Sequence, residues 1–327
     1  AKGKCMSLRV AIQMDPLESI RIAGDSSFAL MLSAQARGHE LWHYDVTSLA
    51  YESDGTPRGR ITAHAAPVTV QRVEGDHYTV GERRRIDLAQ DIDVVLMRQD
   101  PPFHLGYISA ALLLDRLKGT TLVANDPREV VNAPEKMFVL DYARFMPPTL
   151  VARHLDDLRD FQKRHGSVVV KPLHGNGGKA IFRIDEQGTN LSALSEVFDQ
   201  TWPEPHMVQP FLPEVSEGDK RIVLVDGKFV GAINRFPGEG EFRSNLAQGG
   251  HAEAATLTAR EEEICAAMGP ELERRGLVFV GIDVIGGKWL TEINVTSPTG
   301  IVAIDKFNGT DSAGLIWDAI ERRHAAM

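Results

Sequence analysis

The chain has 327 residues, 43% hydrophobic and 25% charged, a globular composition with room for about two domains of ~150 residues. With 36 Lys+Arg against 45 Asp+Glu the net charge is −9, so the chain has no global attraction for nucleic acid or an anionic membrane. No apolar run approaches the ~18 residues of a transmembrane helix. The N-terminus lacks a secretory signal pattern, and two cysteines, Cys5 and Cys265, exclude a disulfide framework, so a soluble cytoplasmic protein is expected.

In chain order, residues 8–15 predict a buried strand ending on Asp15. Residues 25–37 predict a helix with Asp25 or a serine as N-cap and Gly38 as stop. A strand over 40–45 leads into a turn-rich, irregular antiparallel excursion over 51–82. A buried strand over 93–98, a helix over 105–117 and a strand over 121–124 follow. This alternation predicts a parallel α/β sheet for roughly the first 125 residues. Beyond it come a helical stretch over 132–145, a polar helix over 155–165, and a strand, glycine loop and strand over 167–184. A helix over 191–198, a strand over 207–212 and a hairpin turning at Asp226-Gly227 come next. Residues 237–250 are polar, glycine-rich and aperiodic, the texture of a functional or disordered loop. A helix over 259–275, a second hairpin and a helix over 312–324 close the chain.

Three groups of residues could carry chemistry. The loop Lys171-Pro-Leu-His-Gly175-Asn176-Gly177-Gly178-Lys179 lets backbone N–H groups approach phosphate oxygens closely, with Lys171 supplying charge. Leu173 and Ala180 exclude a Walker A loop, and the strand that follows argues against a dinucleotide fingerprint. A plain glycine hairpin fits the segment equally well. In the second hairpin a two-residue Gly286-Gly287 turn would pair Val284 with Trp289 and Asp283 with Leu290. One face then carries Val280, Ile282, Val284, Trp289, Ile293 and Val295, and the other Asp283, Glu292 and Asn294. Such oxygen donors suit Mg²⁺ beside nucleotide phosphates; a solvated polar face is the alternative. Arg98, Lys136, Arg221, Arg235 and Arg243 punctuate strand ends and loops, where arginine forks suit carboxylate or phosphate, although taken singly such residues are more often surface ion pairs.

In this order the features resemble the ATP-grasp superfamily and, within it, the prokaryotic-type glutathione synthetases. The broad likeness lies in Asn132-Ala-Pro-Glu-Lys136, in Val170-Lys171-Pro with its glycine flap, and in Asp283, Glu292 and Asn294. The narrower one lies in Met14-Asp-Pro16, Asp25-Ser-Ser-Phe28, Leu96-Met-Arg98-x-Asp100-Pro-Pro-Phe103, Gly218-Asp-Lys-Arg221, Arg243-x-Asn245-Leu-Ala-x-Gly-Gly250 and Leu290-Thr-Glu-Ile-Asn-Val-Thr-Ser-Pro-Thr299. The resemblance implies an N-terminal parallel α/β domain (1–125) followed by an ATP-grasp fold. That fold comprises a central lid (126–205) and a C-terminal antiparallel-sheet catalytic domain (206–327) with a flexible loop over 237–250.

It further implies a ligase that joins γ-glutamylcysteine to glycine at the expense of ATP, through an acyl phosphate, in a homotetramer or homodimer with no nucleic-acid or membrane partner. Carried over by resemblance, Lys136 and Lys171 contact phosphates, and Gly175, Asn176, Gly177 and Gly178 cover them. Gln209 and Leu212 lie by the adenine and Asp219 by the ribose. Asp283, Glu292 and Asn294 hold two Mg²⁺ ions, with Mn²⁺ possible, and Arg221 and Arg235 stabilise the transferring groups. Ser26, Arg98, Arg243, Asn245, Ser297 and Thr299 line the peptide site. Other readings are a different ATP-grasp carboxylate–amine ligase, a nucleotide-binding protein without chemistry, and a Rossmann oxidoreductase.

Overall fold

The computed structural model describes residues 7–238, 244 and 250–327. Its N-terminal part runs β1 (Arg9–Gln13), α1 (Ser26–Ala36), β2 (Glu40–Tyr44), β3 (Leu49–Glu52), β4 (Arg60–Val70), β5 (Tyr78–Val80), β6 (Arg84–Asp87), β7 (Val94–Met97), α2 (Leu105–Asp115) and β8 (Leu122–Ala124). The sheet order is β3-β4-β2-β1-β7-β8, with β5 and β6 also paired to β4. β1 lies parallel to β2 and β7, and β7 parallel to β8. Val10, Ala11 and Ile12 of β1 are all buried, because a parallel strand is covered on both faces and tolerates no polar alternation. Asp25 caps α1 as expected, accepting from the Phe28 N–H.

The excursion over 51–82 is antiparallel but not irregular. It contains the 11-residue strand β4, whose first half pairs β3 and β6 and whose second half pairs β2 and β5. Its pairing changes partners midway, which no local turn signal reveals.

The middle of the chain holds α3 (Pro127–Val131), α4 (Glu135–Phe138), a 3₁₀ segment (Val139–Phe145), β9 (Leu150–Ala152), α5 (Leu155–His165), β10 (Val168–Pro172), β11 (Phe182–Ile184), α6 (Leu191–Thr201) and β12 (His206–Pro210). The antiparallel sheet β11-β10-β12-β9 carries its own small core, with Leu158, Phe161, Val168, Val170, Ile184, Leu191, Phe198 and Val208. A central lid is expected over 126–205; this sheet takes in residues beyond that end, and the residues at its start pack elsewhere. β12 lies between β10 and β9, and Val208 fills the lid core, so the lid sheet extends through 210. Residues 127–146 instead place Val130, Phe138, Val139 and Phe145 in the core beneath the C-terminal sheet. The single helical stretch expected over 132–145 is broken, with Pro134 as the N-cap of α4 and Tyr142 out of helical geometry.

The last part runs β13 (Asp219–Val225), β14 (Lys228–Phe236), β15 (His251–Ala254), α7 (Ala259–Arg274), β16 (Phe279–Ile285), β17 (Trp289–Asn294), α8 (Ile301–Asn308) and α9 (Ser312–Ala325). They form the antiparallel sheet β15-β14-β13-β16-β17. Asp226 and Gly227 both have positive φ, 51° and 74°, as the turn between β13 and β14 requires. Helix α9 then returns to the N-terminal part. Trp317 is fully buried and its indole N–H donates to the Leu30 carbonyl at 2.9 Å. Asn125 adds a second tie: its amide donates to the Phe279 and Val295 carbonyls and accepts from the Phe279 N–H. The first and last parts therefore share two apolar clusters, one of which also takes in Leu173 and Met207, while the middle sheet has a smaller core besides.

Truncating Trp317 to Ala removes the largest fully buried side chain and should cost about 3–5 kcal/mol, read as a lowered thermal unfolding midpoint, with Trp317→Phe losing clearly less. Cys265 lies buried on α7, and burial pushes its thiol up to about 12. Since the thiolate is the reactive form, iodoacetamide at pH 8 should leave the Cys265 peptide unmodified until denaturant is added, as peptide mass spectrometry will show.

Candidate active site

A cleft of about 1130 Å³ is lined by β10, the glycine flap and β12 on the lid side and by β13, β14, β16 and β17 on the other, with Asp15, Ser27 and Arg98 from the N-terminal part. The β16–β17 hairpin forms its floor, in a register other than the expected one. Ile285 pairs with Trp289 around a three-residue Gly286-Gly287-Lys288 loop, and Val284 pairs with Leu290. A bulge then intervenes, after which Asp283 faces Glu292 and Ile282 faces Ile293. Both glycines have φ near +60°, a region costly for other residues. The extra residue, Thr291, resets the alternation. Leu290 takes the core position expected of Trp289, and the two carboxylates become direct cross-strand neighbours.

The adjoining strands bring the arginines. Arg221 of β13 lies opposite Asp283 and Arg235 of β14 opposite Asp219, so strand register alone sets these charge pairs. Arg221 grips Asp283 with both arms of its fork, Nε to Oδ1 at 2.5 Å and Nη2 to Oδ2 at 3.0 Å, and donates through Nη1 to the Thr299 carbonyl at 3.2 Å. Arg235 Nη2 lies 2.8 Å from Asp219 Oδ2 and 3.1 Å from Asp283 Oδ1. Burial would raise the Asp283 carboxyl, but Arg221 and then Arg235 outweigh it and hold it far below the usual range. Asp219 goes the other way, pushed up to about 6 by burial, with Asp283 adding to the effect and Arg235 opposing it.

A second charge group sits at the flap end. Lys136 is buried, with Nζ 2.9 Å from Glu135 Oε1, 3.0 Å from the Gly175 carbonyl and 3.5 Å from Glu292 Oε1. Burial raises Glu135 to about 8, with Lys136 opposing and Glu292 adding. Glu292 is held low because Lys136 and Lys171 outweigh its burial. Lys171, 7% exposed on β10, is lowered by burial, and its ammonium has no hydrogen bond or ion pair among the described residues. The flap turns through Gly177 and Gly178 at φ +62° and +72°, and a Cβ on Gly175 would meet Pro172 at 2.6 Å. Gly175, Asn176, Gly177, Gly178, Gln209, Leu212, Asp219 and Asn294 all line the cleft. The Gln209 amide is turned to Thr149 Oγ1 at 3.0 Å.

On the N-terminal side of the cleft Arg98 is buried, donating from Nε to Ser27 Oγ and from Nη2 to the Pro298 carbonyl. Ser297 donates to the Arg98 carbonyl. The hydroxyl of Ser26, expected at the peptide site, accepts from the Gly300 N–H beneath the surface, and its neighbour Ser27 lines the cleft. The first turn of α1 points one serine inward and presents the next. Arg243 and Asn245 lie outside the described residues. Sequence reasoning also passed over Glu135, although it sits within the quoted Asn132–Lys136 stretch beside Lys136.

Residues 8–130 match the family described as the N-terminal domain of prokaryotic glutathione synthetase, and residues 135–309 its ATP-grasp domain. The chain is 52% identical over 320 residues to the glutathione synthetase of Rhodopseudomonas palustris, covering 98% of this chain and all of that protein. The chain belongs to the prokaryotic glutathione synthetase family.

Solved structures agree on the fold. D-cycloserine synthetase DcsG superposes with a TM-score of 0.68 at 18% identity, covering 96% of this chain and 99% of that one. The ATP-grasp ligase PsnB, complexed with minimal precursor, Mg and ADP, gives 0.59 at 17% identity, with 97% and 98% covered. The family's ATP-grasp half spans the flap, β12 and the C-terminal sheet, so both charge groups fall inside it.

Asp283→Asn should lower the denaturant midpoint by the equivalent of about 3–5 kcal/mol, because it leaves two buried guanidinium groups without their shared anion. An unchanged midpoint would show that the pair contributes nothing to the fold.

Proposed function

We propose that the cleft joins L-γ-glutamyl-L-cysteine to glycine, converting ATP to ADP and phosphate, as a glutathione synthase. One observation carries the reading: Lys136, Lys171, Arg221 and Arg235, all buried, converge on the opposed Asp283–Glu292 pair beside a glycine flap. Lys136, Arg221 and Arg235 already face Glu135, Asp283 and Asp219, whereas Lys171 has no ion pair among the described residues, and a buried cation so placed calls for an anionic ligand, which a triphosphate supplies.

A carboxylate acylates poorly at neutral pH. Its oxygen therefore attacks the γ-phosphorus, the bond to ADP breaks, and an acyl phosphate forms. Glycine's amine then attacks the acyl carbon, phosphate leaves, and the nitrogen loses its proton. Catalysis here is positioning and charge stabilisation. Lys136 and Lys171 would hold the phosphates under the backbone N–H groups of Gly175–Gly178. Arg221 and Arg235, pre-aligned by Asp283, would stabilise charge on the phosphoryl and acyl groups without reorganising.

Gln209 and Leu212 would border the adenine. Asp219 keeps one buried oxygen, Oδ1, without a hydrogen-bond partner, which suits a ribose hydroxyl. Arg98, Ser297, Thr299 and Ser27 would frame the dipeptide.

Among the described residues no three His, Cys, Asp or Glu side chains form a ready metal cluster. The oxygen donors of Asp283, Glu292 and Asn294 nevertheless fit a hard cation, and the buried Asn294 Nδ2 has no partner, leaving that amide free to turn. Two Mg²⁺ ions, or Mn²⁺, held by these three would neutralise phosphate charge. The Mg and ADP in the PsnB complex support this assignment. No described helix is long and apolar enough to cross a membrane. A cytoplasmic homotetramer or homodimer belongs to the same reading.

Purified protein with Mg-ATP and γ-glutamylcysteine should release ADP in a glycine-dependent way, with a tripeptide of matching mass. Glu292→Gln should abolish this at an unchanged melting temperature. ADP release indifferent to glycine would point to another acceptor, and a fully active Glu292→Gln would remove the metal assignment.

A further inference from the structure

The geometry points to Glu135 as a positioning residue that draws the Lys136 ammonium away from Glu292, leaving the Glu292 carboxylate open to a divalent cation. The inference rests on the nucleotide-and-cation reading above and adds a residue to it.

Neighbours in a helix point in different directions and do not normally meet. Glu135 and Lys136 nevertheless converge, because α4 is only four residues long and begins directly after Pro134. The Lys136 ammonium has three N–H donors. It hydrogen-bonds Glu135 Oε1 at 2.9 Å and the Gly175 carbonyl at 3.0 Å, while Glu292 Oε1 stands off at 3.5 Å.

Remove the Glu135 acceptor and a buried N–H donor is left without a partner. The nearest available acceptor is Glu292, and desolvation drives the two together. A closed Lys136–Glu292 pair then competes with a cation for the same oxygen. The substitution should therefore act mainly on cation dependence. A side chain serving only to pack α4 would change stability and leave that dependence alone.

Calorimetric titration of ADP at a series of Mg²⁺ concentrations, and in EDTA, tests this with no turnover and no second substrate. In Glu135→Ala the Mg²⁺ concentration giving half of the affinity gain should rise on the order of ten-fold, the scale typical for partners of metal-binding side chains. Glu135→Gln retains an oxygen for Lys136 and should recover most of the wild-type dependence. Should Glu135→Ala not fold, Glu135→Asp, with its carboxylate one methylene short, must show an intermediate rise. Wild-type Mg-dependent ADP binding with an unchanged dependence in the variant that folds overturns the inference alone, as does a Gln variant no better than Ala. No ADP binding by the wild type overturns the nucleotide reading together with it.

Discussion

The site depends on one buried carboxylate. Asp283 accepts two hydrogen bonds from Arg221 and lies within 3.1 Å of Arg235, so a single negative charge holds two guanidinium groups in place. Burying any one of these ions alone would cost several kcal/mol. Together they are neutralised by position. The arrangement exists because β13, β14 and β16 are adjacent antiparallel strands whose register sets Arg221 against Asp283 and Arg235 against Asp219. In the proposed reaction both arginines would thereby be aimed before any ligand arrives, the form electrostatic catalysis takes when reorganisation is to be avoided.

The rest of the fold brings two further surfaces to that sheet. The N-terminal part shares a core with it through Trp317, Ile316 and Val223, and Arg98 ties α1 to the 296–299 segment. These contacts leave the N-terminal side of the cleft little freedom relative to the arginines. The middle part fills a core of its own but also meets the rest of the chain, through Leu173 and Met207 in the larger apolar cluster, the Phe103–His174 ring pair and the bond from Lys136 to the Gly175 carbonyl.

Much of this was legible in the chain itself. Apolar runs such as 94–97 announce strands covered on both faces, Asp25 announces a cap, and Asp226-Gly227 announces a turn through its tolerance of positive φ. Alternation also placed Asp283 and Glu292 on one face, and the order of motifs identified the family. The hairpin register was not legible, because one bulged residue at Thr291 moves Leu290 inward and Trp289 outward without any change in local composition. The extent of the middle sheet was not legible for a similar reason: β12 is an ordinary apolar strand, and only its partners β9 and β10 assign it to that sheet.

By itself, then, the sequence determined which residues are chemically able to act and which segments are strands or helices, since side-chain type and periodicity are local properties. Which serine faces the cleft, which oxygen each arginine grips, and that Glu135 shares Lys136 with Glu292 were decided only by tertiary structure. These depend on distances of a few tenths of an ångström between segments far apart in the chain, and packing sets such distances rather than any property of the segments taken singly.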